Sequence, residues 1–165
     1  MKIKVCYLLF FLSFCLQAQE SQKKAVHKVL DAWHEAAANA DFQAYFDLMG
    51  EQSVFIGTDA MENWQRQAFE AFSKPYFDQG KAWAFQARER NIYLSSDGSI
   101  AWFDELLDTW MGTCRGSGVL EKVNNFWKIR HYVLSITIPN EEIEPVISLK
   151  KSKDSLIQSQ IKRNW

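Results

Sequence analysis

The stretch IAWFDELLDTWMGTCRGSGVLEKVNNFWKIRHYVLSITIPNE, residues 100–141, decides the fold of this chain. Residues 100–107, 113–122 and 125–138 are rich in β-branched and aromatic side chains that alternate with polar ones, which is the pattern of strands with one face covered. Short polar turns separate them, so the three segments are expected to form an antiparallel meander. Asp104, Glu105, Arg115 and His131 share these strands with Trp, Phe, Val and Ile. A surface of that mixture predicts a curved sheet around a cavity with polar groups at its foot.

Upstream, residues 83–94 (WAFQARERNIYL) read as the strand before this meander. Strand parity puts Arg88 and Arg90 on one face and Trp83, Phe85, Ala87, Glu89, Asn91 and Tyr93 on the other. Ser96-Asp97-Gly98-Ser99 is the hairpin turn that follows. Before the strands come helices. Val26, Val29, Leu30, Trp33 and Ala37 recur at three-and-four spacing, predicting a helix over 22–39. Asp41 is placed to cap a short second helix that Gly50 ends. Residues 52–56 (QSVFI) read as a brief strand, and 63–74 as a third helix that Pro75 kinks or stops. Helices first and strands afterwards give an α+β class.

The 165 residues suit one domain with short extensions. Aromatics make up 15% of the chain, with seven Trp and twelve Phe, enough for a sizeable aromatic core. Residues 1–18 stand apart: Lys2 and Lys4, an apolar run from Val5 to Leu16, then Ala18. This is the pattern of a signal peptide cleaved after Ala18, and it predicts an exported protein, periplasmic or secreted. Its loss takes two lysines, lowering Lys+Arg from 19 to 17 against 20 acidic residues, a formal charge of −3. Such a balance offers no field for nucleic acid or, once the leader is gone, for a membrane surface. The leader also carries Cys6 and Cys15, so Cys114 is left without an internal disulfide partner. Residues 142–165 turn from acidic to basic and read as a solvated tail with a short helix.

Residues 25–141 as a whole resemble the SnoaL-like domains of the nuclear transport factor 2-like superfamily. The carrying segments are VLDAWHEAAANADFQAYF (29–46), FIGTDAMENW (55–64), KPYFDQGKAW (74–83), AWFDELL (101–107), RGSGVL (115–120) and WKIRHY with IPNE (127–132, 138–141). The resemblance implies a cone, with helices packed on a strongly curved antiparallel sheet that encloses a pocket. It also implies a homodimer, and a domain over 19–141. It does not fix activity, because relatives of this kind include cyclases, isomerases, dehydratases, epoxide hydrolases and binding modules.

Within that frame, parity places Trp127, Ile129, His131 and Val133 toward the cavity and Lys128 and Arg130 toward water. His131 is then either a satisfied core residue or a proton-transfer group. An inward Arg115, beside Gly116 and Gly118, needs a carboxylate, which Asp104 or Glu105 supplies; the pair is either architectural or an anchor for a carbonyl or anionic ligand. Asp59 is either a helix cap or a general base at the mouth. Trp33, Tyr76, Trp83 and Trp102 are core residues or a ligand platform. His27, His34 and His131 lack metal-ligand spacing, and His27 and His34 are read as lying on the outer flank of the first helix, so neither metal nor cofactor is expected. The sequence thus points to an exported protein that binds a small hydrophobic or carbonyl-bearing molecule. A cofactor-free lyase, isomerase or hydrolase using His131 with Asp59 or Asp104, and a non-catalytic dimerisation module, stand as alternatives.

Overall fold

In the computed structural model the stretch around residues 100–141 is the centre of a six-stranded mixed sheet. The structure describes residues 2–161, with side chains from residue 17 onward. Helix α1 spans Lys2–Ala38 and α2 Phe42–Asp47; strand β1 is Met49–Ile56, β2 Asn63–Gln65; α3 is Arg66–Asp78; β3 is Gln86–Leu94, β4 Ile100–Thr109, β5 Gly112–Val123 and β6 Phe126–Ile136; α4 is Ile143–Gln160. The spatial order is β2-β1-β6-β5-β4-β3. All neighbours are antiparallel except β1 and β6, which run parallel. That parallel pair makes an otherwise antiparallel sheet mixed. The sheet curves without closing, and α1, α2 and α3 cover its concave face.

The local chemistry behaves as expected at several boundaries. The Asp41 side chain accepts the Ala44 N–H and caps α2. Asn124 and Asn125 both adopt positive φ, at 51° and 67°, which matches the twist that a two-residue hairpin between β5 and β6 requires. Asp97 takes hydrogen bonds from Ser95 and Ser99 in the β3–β4 turn, and these hold its carboxyl down at about 2.

Other boundaries differ. Gly50 does not end α2; it lies in β1, where a side chain would press on Arg130. Residues 63–65 form the short edge strand β2, because Asn63, Trp64 and Gln65 pair with Ile56, Phe55 and Val54 before α3 begins. Pro75 sits inside α3, which continues to Asp78. Trp83 and Phe85 precede β3 rather than belong to it. The expected tail is an 18-residue helix with no buried residue; residues 162–165 lie outside the described part. The expected leader continues the backbone of α1, and the side chains of Cys6 and Cys15 lie outside the described residues. No helix among the described residues is long and apolar enough to cross a membrane.

The core lies between α1–α3 and the concave sheet face. Trp33, Tyr45, Phe46, Phe55, Phe69 and Tyr132 are among its largest members. Phe55 stacks on Phe69 with centroids 4.1 Å apart and planes 9° from parallel, and its other side meets Tyr132 at 5.6 Å. Each such ring removes roughly 150–250 Å² from water. The interior of the cone is therefore filled largely by rings.

Two bulges decide which polar groups reach this interior. In β6, Val119 pairs with His131 while Leu120 pairs with Ile129, so Arg130 is an extra residue. In β3, Ala87 pairs with Leu107 while Glu89 pairs with Leu106, so Arg88 is the extra one. An extra residue reverses the facing of everything after it. Beyond Arg130 it is Tyr132 and Leu134 that point inward, and His131 and Val133 that do not. Past Arg88, Arg90 and Ile92 point inward, while Arg88 lies outside in an ion pair with Asp108.

Candidate functional site

At the wide end of the cone a cavity of about 160 Å³ opens, lined by Phe55, Gly57, Thr58, Glu62, Trp64, Phe69, Phe72, Trp83, Phe85, Trp110, Met111 and Leu134. Each wall has a local cause. The β1 alternation turns Phe55 inward, and β2 carries Trp64 to stack on Phe72 of α3 at 4.9 Å. The segment between α3 and β3 supplies Trp83 and Phe85. The β4–β5 hairpin is closed by Gly112 at φ +85° and pushes Trp110 and Met111 over the rim; Trp110 is 82% exposed. Thr58 and Glu62 are the polar side chains of the lining, and Glu62 accepts the Asp59 N–H at 3.2 Å.

Beneath Phe85 lies a buried ionic group. The His34 ring meets Phe85 edge-on at 6.4 Å, and its Nε2 is 2.8 Å from Oε1 of Glu105. The same Oε1 accepts the Tyr132 hydroxyl at 3.2 Å. Oε2 accepts Arg90 Nε at 2.8 Å, and Arg90 Nη1 continues to Asp31 Oδ1 at 2.7 Å and to the His27 carbonyl at 3.3 Å. Glu105 is only 1% exposed. Burial alone would raise its pKa, but the hydrogen bond and charge of His34, with Arg90 beyond, lower it below the ordinary value. Burial and the Glu105 charge push the Tyr132 phenol well above its usual range. Burial, then the Arg90 charge, lowers His27.

Gly116 belongs to this group. A Cβ there would meet the Tyr132 hydroxyl at 2.3 Å and Glu105 Oε1 at 3.0 Å. At Gly118 a Cβ would meet the His131 carbonyl and the Phe103 ring, so the glycines of RGSGVL make room for the protein's own atoms rather than for a ligand. Nearer the cavity, Tyr45 is fully buried, stacks on Trp33 at 4.8 Å and meets Trp83 edge-on at 5.7 Å. The Tyr45 hydroxyl and the Trp33 indole N–H are both buried without a hydrogen-bond partner.

Several expected site residues are not brought together. Arg115 is exposed on the convex face, because Cys114, Gly116 and Leu120 take the inward positions of β5; the inward arginine paired with a carboxylate is Arg90. His131 lies on the convex side, displaced by the Arg130 bulge. Of the two carboxylates, Glu105 faces in; Asp104 faces out and accepts Asn91 Nδ2 at 3.1 Å. Asp59 accepts the Met61 N–H at 2.9 Å in the β1–β2 loop and caps no helix; it lines a separate groove beside α4, not the aromatic cavity. Trp33 is core, Trp83 lines the cavity, Tyr76 is half exposed beside Phe72, and Trp102 stacks on Tyr93 on the convex face.

His34, Arg90, Tyr45 and Tyr132 were not singled out by sequence. His34 had a legible signal: it follows Trp33 and lies four residues after Leu30, near the apolar stripe rather than on the outer flank. Arg90 and Tyr132 had none, since their facing depends on the bulges. Among the described residues no group of three or more His, Cys, Asp or Glu side chains is arranged to hold a metal ion.

Similar architecture occurs in solved structures. A nuclear transport factor 2-like protein of unknown function from Pseudomonas putida matches with a TM-score of 0.61 at 12% identity, over 74% of this chain and 91% of that one. A candidate dehydratase of the same superfamily from Streptomyces avermitilis matches with a TM-score of 0.63 at 11% identity, over 73% and 99%. A candidate aromatic ring hydroxylase from Novosphingobium aromaticivorans gives 0.62 at 15% identity, over 72% and 91%. At such identities the likeness is one of fold alone. No curated protein matches. Residues 26–139, however, match the SnoaL-like domain family, and the chain belongs to that family, with the fold of nuclear transport factor 2-like proteins.

Proposed function

We propose that the protein binds a small apolar molecule, one aromatic ring in size, in the cavity between Phe55, Phe72, Trp83 and Trp110. The observation that carries this reading is the pairing of aromatic walls with a volume of about 160 Å³. An apolar cavity of about 150 Å³ holds a benzene ring, and ligand sites of this type are apolar with few polar groups. The polar anchors expected from sequence, Arg115 and His131, do not reach the cavity, so affinity comes from ring burial. A ligand that binds only the folded state raises its melting temperature. Toluene and ethylbenzene are expected to raise Tm progressively as their concentration rises. The absence of any shift at saturating aqueous concentration overturns the reading.

A second reading is favoured by the buried His34–Glu105 pair behind Phe85. A carboxylate that orients an imidazole is the arrangement of general acid–base catalysis, and a cofactor-free lyase or isomerase could use it. Turnover of a carbonyl substrate that is lost in His34→Gln, while ring binding persists, separates an enzyme from a binder.

Export after cleavage at Ala18 and assembly as a homodimer complete the proposal. Mature N-terminal sequencing starting at Gln19 supports the first, and sedimentation at twice the chain mass the second. The exposed Tyr93–Trp102 stack on the convex sheet face favours pairing there.

A further inference from the structure

We propose that Tyr45 is the polar anchor of the aromatic cavity, that Trp83 is the movable ring in front of it, and that the ligand is therefore a single ring carrying a carbonyl group. This rests on the cavity reading above and goes on to name the chemistry of its ligand.

The starting observation is an unmade hydrogen bond. The Tyr45 side chain is 0% exposed and its hydroxyl has no partner. Buried hydroxyls are nearly always paired, because one that is not has lost its water for nothing. Burial raises the Tyr45 phenol, and the polar contact of the Trp83 indole lowers it by less, without reaching hydrogen-bond geometry. Trp33, stacked on Tyr45, adds a second buried donor without a partner to the same layer. An indole N–H can only donate, and a phenol held neutral by burial donates as well. A waiting donor calls for an acceptor, and a carbonyl oxygen is the acceptor that an apolar ring carries at least cost in desolvation.

Trp83 separates Tyr45 from the cavity. One of its sides lines the cavity, and its edge meets Tyr45 at 5.7 Å and 80°. It belongs to the irregular segment between α3 and β3. Gly80 opens that segment at φ +67° with nothing within 4 Å of a would-be Cβ. Among the described residues Ala82–Phe85 form no loop or turn backbone hydrogen bonds, so the segment is held by its rings. Rotation of Trp83 outward joins the cavity to the Tyr45 hydroxyl without breaking a strand or helix.

The test compares acetophenone with ethylbenzene, which are close in shape and differ in the carbonyl, by titration calorimetry on the full chain. Wild type is expected to bind acetophenone at least tenfold more tightly. Tyr45→Phe is expected to bind ethylbenzene unchanged, to lose the tenfold preference, and to melt no lower than wild type, since the hydroxyl it removes had no partner. Trp83→Leu is expected to speed acetophenone association several-fold in stopped flow. Equal affinities in wild type, a preference that survives Tyr45→Phe, or a lowered melting temperature in that variant overturns the anchor. An unchanged association rate in Trp83→Leu overturns the gate. If ethylbenzene itself fails to bind, the cavity reading falls with both; if it binds without discrimination, only the present inference falls.

Discussion

His34 Nε2 and Glu105 Oε1 meet at 2.8 Å across 71 residues of sequence, tying the C-terminal end of α1 to β4. Arg90 holds the opposite oxygen of the same carboxylate. The three residues join α1, β3 and β4 through one buried carboxylate.

Breaking that group from one side leaves an unmatched charge inside. Glu105→Gln is expected to destabilise the protein by about 3–5 kcal/mol, because the buried Arg90 loses its buried partner and keeps only the exposed Asp31. Replacing Arg90 and Glu105 together with Met and Leu is expected to recover most of that loss. Urea unfolding of the single and double variants measures both.

The same carboxylate sets the acid limb of stability. Its folded pKa lies below the ordinary carboxylate value, so the folded state binds the proton less readily than the unfolded chain. The contribution is fully present above the unfolded value, about 4.3, and is lost as pH falls through the lower folded one. Stability against pH is expected to fall more steeply there in wild type than in Glu105→Gln.

On the alkaline side the sign reverses. Tyr45 and Tyr132 have folded pKa values well above their ordinary one, raised mainly by burial. Their contribution is complete below about pH 10 and declines above it, as the unfolded phenols ionise and the folded ones do not. Thermal melts between pH 9 and pH 11, values taken as about one unit either side of that reference, are expected to show Tm falling less in Tyr132→Phe than in wild type.

Gly116→Ala tests how tightly the group is packed. A Cβ there enters the space of the Tyr132 hydroxyl and Glu105 Oε1. A loss of about 1–3 kcal/mol is expected from overpacking. A neutral result in urea unfolding would show that these side chains yield.

Trp110→Ala separates binding from stability. Trp110 hangs at the cavity rim with most of its surface in water. Truncation is expected to change stability by no more than about 0.5 kcal/mol, while weakening ring binding several-fold in the calorimeter.

The sequence alone determined most element types, the α+β class and the family. Periodicity in residues 22–39, the Asp41 cap, the Ser96–Ser99 turn and the alternation in residues 100–122 are local signals, and local signals survive folding. It also marked Glu105 as one of two candidates for the interior. What only the tertiary structure decided is which side chains face in. A strand has a period of two, so one extra residue at Arg130 moved His131 out and Tyr132 in, and one at Arg88 set Arg90 against Glu105. A bulge is fixed by how a strand pairs with its neighbour, and that pairing belongs to the assembled sheet rather than to any segment of the chain. The parallel partnership of β1 with β6 has the same origin: it joins segments more than 70 residues apart, and nothing within either one announces it.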